Sequence, residues 1–91
     1  MRVVNPEKAR MRTIIINDLK SNITNLNAVK NDAIDTSAII ANILSGSVVG
    51  VDQELTNHCQ RIRELLDQVI QGLNYSRDLA EQLDITEEVA E

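Results

Sequence analysis

His58 and Cys59 are the chain's one histidine and one cysteine, and they are adjacent. A thiol beside an imidazole is the pairing from which a cysteine nucleophile can be built. On a helix, however, neighbouring side chains point roughly 100° apart and do not face each other. One histidine and one cysteine also fall short of a structural zinc set. His58 therefore reads as a seam-edge or solvent residue. Cys59 reads as a small apolar side chain, with a thiol that pairs between chains as the alternative; a disulfide within the chain is excluded. The carboxylates are plentiful but form a solvated face. Arg63 and Asp67, like Arg77 and Glu81, stand four apart, a spacing that contributes roughly a few tenths of a kcal/mol to a helix. Gly46 and Gly50 lack the lysine and preceding strand of a phosphate loop, and no EF-hand spacing occurs. The expectation is no catalytic, metal or cofactor site, and no enzyme.

The elements carrying these residues are written in the apolar spacing. Leu55, Cys59, Ile62, Leu66, Val69, Leu73, Ser76, Ala80, Leu83, Glu87 and Ala90 recur every four and three residues, the pattern of a coiled-coil seam. No proline interrupts it, and Gly72 is its one internal glycine. A helix over about 52–88 is predicted. Leu65, Ile70, Leu79 and Ile85 lie off that seam and widen the stripe beyond what one antiparallel neighbour covers. A second interface is expected there. Upstream, Leu19, Ile23, Leu26, Lys30, Ala33, Ser37, Ile40 and Leu44 predict a helix over about 18–44, capped by Asn17 with Asp18 favouring its dipole. Thr13 to Ile16 reads as an extended β-branched run or an apolar plug.

Between the helices, Ser45-Gly46-Ser47 and Gly50 break the pattern, giving a turn over about 45–51. Gly46 suits a left-handed helix end, and Asp52, or a residue just before it, suits a cap. Val48, Val49 and Val51 make the turn apolar, as if covered. Residues 1–12 read as a flexible basic segment, since Asn5-Pro6 disfavours any earlier helix. Met11 could be a true start, with residues 1–10 an upstream extension. Folded back on itself, the shorter helix runs out near residue 78 of the longer. The predicted fold is all-α: an antiparallel two-helix hairpin over 13–91 that completes a helical bundle with another chain.

Composition narrows the function classes. A chain of 91 residues forms one small domain, burying only about 60–65% of its unfolded surface. Tyr75 is its one aromatic residue, which suits a thin helical seam better than a thick core. The net charge of −5 is uneven: residues 1–12 hold four basic side chains against Glu7, and the rest hold five against thirteen acidic ones. Nucleic-acid binding by the body is disfavoured, because phosphate affinity needs clustered Lys and Arg. The basic head reads as a solvated tail, with contact to an anionic membrane as the alternative. No apolar run suffices for a membrane span or a cleaved signal peptide. A cytoplasmic location is expected, or export without a cleaved signal.

Thr13-Ile14-Ile15-Ile16-Asn17, then Ser21-Asn22-Ile23-Thr24-Asn25-Leu26, a Ser/Gly-rich turn, and a second helix leading into Tyr75 and Leu79-Ala80-Glu81 together resemble the small helical-hairpin proteins of Gram-positive type VII secretion. The likeness is to the WXG-like partners encoded beside LXG toxins, and it covers about residues 13–91. It implies a targeting factor or chaperone that pairs side by side with the N-terminal helical domain of an LXG toxin and presents an export signal. Further small helical proteins and the secretion machinery are the other partners implied. The chain departs from the wider superfamily at two places. Its turn has Val48-Val49-Gly50 where a Trp-x-Gly would stand, and Tyr75 is followed four residues later by Leu79, with Asp78 one residue early. Tyr75, Asp78 and Leu79 are the candidate export signal; otherwise Tyr75 lays its ring on the seam with its hydroxyl in water. Leu55, Ile62, Leu65, Leu66, Val69, Ile70, Leu73, Leu79 and Leu83 are the candidate partner-binding residues. A self-assembling secreted homodimer or polymer subunit is the competing expectation, and an enzyme subunit or antitoxin-like regulator is a more distant third.

Overall fold

The computed structural model describes residues 1–43 and 50–90. In chain order it contains β1 (Arg2–Val4), α1 (Pro6–Ile43), α2 (Val51–Glu81) and β2 (Thr86–Glu88). The two helices pack antiparallel as a hairpin about 75 Å long and 17 by 13 Å across. The expected all-α hairpin is therefore present, with a two-stranded ribbon added at its open end. Gly46, Val48 and Val49, expected in the turn, lie outside the described residues.

α1 begins at Pro6, a dozen residues before the expected start. Asn5 caps it: its side-chain Oδ1 accepts from the Lys8 amide at 3.0 Å. Pro6 occupies the first helical position, where its missing amide costs nothing, and Glu7 supplies the favourable charge of the first turn. Glu7 also accepts from Arg10 at 2.6 Å. Thr13 to Ile16 is thus neither strand nor plug, and Asn17 is not a cap. The β-branched run costs only about a few tenths of a kcal/mol per residue in a helix. Ile16 more than offsets that by facing α2.

The intrachain seam follows a strict three–four spacing on both helices. On α1 the shielded positions include Ala9, Arg12, Ile16, Leu19, Ile23, Leu26, Lys30, Ala33, Ser37 and Ile40. On α2 they include Cys59, Arg63, Leu66, Ile70, Leu73, Arg77 and Ala80. This differs from the predicted stripe. The heptad through Ile70 faces α1, whereas Leu55, Ile62, Val69, Ser76 and Leu83 are exposed. Both spacings fit a helix equally well, and only the rotation that packing selects distinguishes them. Lys30 pairs with Asp67 across the seam, so Asp67 is engaged away from Arg63. Arg77 lies nearest Asp78, at 3.8 Å, and not Glu81.

α2 starts after Gly50, whose φ of 73° is left-handed and favours glycine. Gly50 is the N-cap residue and gives no side-chain bond, so the expected cap at Asp52 is replaced; Asp52 and Glu54 sit in the first turn, where the dipole favours them. The helix ends at Glu81, short of the predicted residue 88. The Gln82 amide donates to the Leu79 carbonyl at 3.0 Å and the Leu83 amide to the Ala80 carbonyl at 3.2 Å, and the chain turns back. Asp84 fixes that turn by accepting from the Thr86 amide at 2.8 Å.

The last residues turn back beside the start of α1, where Leu83 and Ile85 line a groove with Met11 and Ile15. β2 pairs antiparallel with β1, matching Arg2 to Glu88, Val3 to Glu87 and Val4 to Thr86. Backbone bonds continue the ladder on both sides, Asn5 to Ile85 at 2.8 Å and Val89 to Met1 at 2.9 Å. The basic head, read as a tail, is therefore a strand and the opening turns of α1. Its charges meet acidic residues of the C-terminal segment. The Met1 ammonium is 2.8 Å from Glu88, and Arg2 donates to Asp84 at 2.9 Å and to the Thr86 hydroxyl at 2.9 Å. Asn5 donates to Glu87 at 2.8 Å.

This ribbon has a definite pH response. Bonds from the Thr86 hydroxyl and amide, with the Arg2 guanidinium nearby, hold Asp84 below its ordinary carboxylate pKa. A depressed pKa contributes stability above the unfolded value, and that contribution is lost as pH falls through the lowered one. The Thr86 amide should lose its hydrogen-exchange protection as the pH drops below about 4. Asp84→Asn should make that protection lower at neutral pH and flat across the same window; an unchanged profile in the variant would show that Asp84 does not govern the ribbon.

Candidate functional site

Two helices side by side meet along one line, and anything apolar away from that line stays in water. Only Ile70, at 8% exposure, and Ala80, at 6%, are buried among the described residues. Leu66 and Leu73 are shielded partly by α1. These three leucine and isoleucine positions of the predicted partner surface belong to the hairpin's own seam. The other six, Leu55, Ile62, Leu65, Val69, Leu79 and Leu83, are exposed, with Val69 at 51% and Ile62 at 50%.

At 100° per residue, those six form a second stripe about a quarter-turn around α2 from the seam. α1 carries a counterpart: Met11, Ile14, Ile15, Val29, Ile39 and Ile43 are all exposed. Because the helices are antiparallel, the same rotational offset puts both stripes on one side of the hairpin. The grooves between the helices agree. Ala33 and Thr36 face Cys59 and Ile62 across one apolar groove. Met11 and Ile15 face Leu83 and Ile85 across another near the ribbon. The opposite side is polar: Ser37 and Ala41 line a recess with Thr56, Gln60, Glu64 and Asp67.

The apolar side has a polar waist. Asn22 and Asn25 of α1 fall on it by spacing, with Gly72 and Ser76 of α2 opposite them, all exposed. A Cβ at Gly72 would meet nothing within 4 Å. No contact inside the hairpin requires a glycine there, although glycine costs about 1 kcal/mol in a helix interior.

The accessible surface gives the same account. The chain exposes 6718 Å², whereas a compact protein of 10.1 kDa exposes about 5,300 Å². The difference, about 1,400 Å², exceeds the roughly 800 Å² that each partner buries in a standard interface.

The remaining sequence candidates separate cleanly. Tyr75 is 66% exposed, on the side of α2 away from α1, so its ring is not on the seam. Asp78 is exposed on the same helix, and Leu79 belongs to the apolar side. His58 is exposed, 4.0 Å from Glu54, and Cys59 is half-buried in the seam as a free thiol. Among the described residues, no group of three or more His, Cys, Asp or Glu is placed to hold a metal ion. No described helix is long and apolar enough to cross a membrane. No family model, curated protein or solved structure matches the chain.

The split between seam and flank is measurable. Ile70→Ala should lower the unfolding free energy of the isolated chain by about 2 kcal/mol. Val69→Ala, one residue away, should change it by less than about 0.5 kcal/mol. Equal losses in urea denaturation would mean that Val69 is packed within the chain.

Proposed function

We propose that this protein is a non-catalytic adaptor of type VII secretion, one that binds the N-terminal helical domain of an LXG-type toxin and promotes its export. The observation that carries the reading is the uncovered apolar side of the hairpin. A helical toxin domain laid along it would supply the second layer that two helices lack. The exposed Tyr75 and Asp78 would remain on the outside of such a complex, where export machinery could read them, while the partner would cover Leu79. The adaptor would act in the cytoplasm, before or during export, and would need no cofactor.

A second reading is supported by the same surface: a secreted self-associating protein in which another copy covers the apolar side. Co-expression with the helical domain of an adjacently encoded LXG toxin separates the two. The adaptor role predicts that both chains elute as one complex and that the toxin domain is less soluble alone. Separate elution, with the isolated chain forming a discrete homo-oligomer in light scattering, would overturn it in favour of self-assembly.

A further inference from the structure

We infer that the apolar side of the hairpin is shaped for one helix of a different protein, with basic edges and a bulky side chain seated over Gly72. This inference specifies the surface used in the adaptor reading and rests on that reading only for the existence of a helical partner. Charge decides between a foreign helix and a second copy. Asp18 and Asp32 stand seven residues either side of Asn25, within the apolar side between Met11 and Ile39, and neither makes an ion pair among the described residues. A second copy would bring the same two aspartates, and a formal −5, against this one. Like charges so placed oppose association, whereas Lys and Arg at the edges of a foreign helix would complement them.

The waist sets the register. Apolar side chains flank it at Val69 and Leu79, while Gly72 leaves the space between them open. A knob from a facing helix fits such a hole. The largest knobs are Phe and Trp, which this chain does not contain. Its Tyr75 points away.

The test uses the full chain and two synthetic helical peptides of roughly four heptads. Both carry the same Leu/Ile stripe with a central Phe, and they differ in having Lys or Glu at the edges. By calorimetry, the Lys-edged peptide should bind at least about tenfold more tightly than the Glu-edged one, with a preference that shrinks in high salt. Gly72→Leu should weaken that binding about tenfold while raising the chain's Tm, since leucine favours the helix. Replacing the peptide's Phe by Ala should weaken binding to the natural chain but add nothing to the Gly72→Leu loss. Gln60→Ala, on the polar side, should leave affinity unchanged. Equal affinity for the two peptides, no effect of Gly72→Leu, or a homodimer of the free chain that protects Val69 would each overturn the inference. Peptide discrimination without toxin binding would sustain this surface and remove the adaptor identity. Toxin binding indifferent to Gly72→Leu would do the reverse.

Discussion

Two parallel rods can bury no more than the line along which they touch, and every other property of this molecule depends on that constraint. A helix of a globular protein usually has an apolar stripe one neighbour can cover. Here both helices carry a stripe wide enough for two neighbours and are given one. The result is a rod with Ile70 and Ala80 as its only buried described residues. Its apolar side holds Ile62, Leu65 and Val69 in water at one end and Met11, Ile15 and Leu83 at the other. That side of the hairpin forms a single layer, with no second layer over it among the described residues.

With so little burial, the polar seam positions matter for specificity more than for strength. Lys30 and Asp67 meet across the helices, and such a half-exposed pair contributes about 0–1 kcal/mol. Ser37 Oγ and Arg63 Nε are buried in the seam and find no hydrogen-bond partner among the described residues. Unpaired polar atoms of that kind lower stability. In helical seams, polar positions of this sort fix register and exclude alternative pairings at some cost in stability. A weak seam with a marked register leaves the two helices aligned with little buried surface between them.

The ribbon supplies the closure at the open end. A two-stranded ribbon is marginal by itself, but this one joins a basic segment to an acidic one. Arg2 bonds both Asp84 and Thr86, Asn5 bonds both Lys8 and Glu87, and the Lys8 ammonium reaches the Thr86 carbonyl at 3.2 Å. The uneven charge of the chain is thus partly an internal complementarity. Arg2 of the head pairs with Asp84 and Glu88, Lys8 reaches the Thr86 carbonyl, and Arg10 pairs with Glu7 within the head.

Much of this was legible in the residues alone. Periodicity identified two helices, a Gly-containing break between them, and a stripe too wide for one neighbour. Those are local properties, set by a 3.6-residue turn and by side-chain type. Asn5-Pro6-Glu7 also carries the signals of a helix start, with cap, first-position proline and acid in order, whereas the β-branched run at Thr13 to Ile16 favours an extended reading. What tertiary structure decided was rotation and return. Leu66 and Leu73 fit both the Ile62–Val69 heptad and the Arg63–Ile70 heptad, so sequence spacing could not say which face met α1. Nor could two three-residue strands, more than 80 positions apart, announce themselves through any local pattern. Their pairing exists only because the hairpin has already brought the two ends of the chain together.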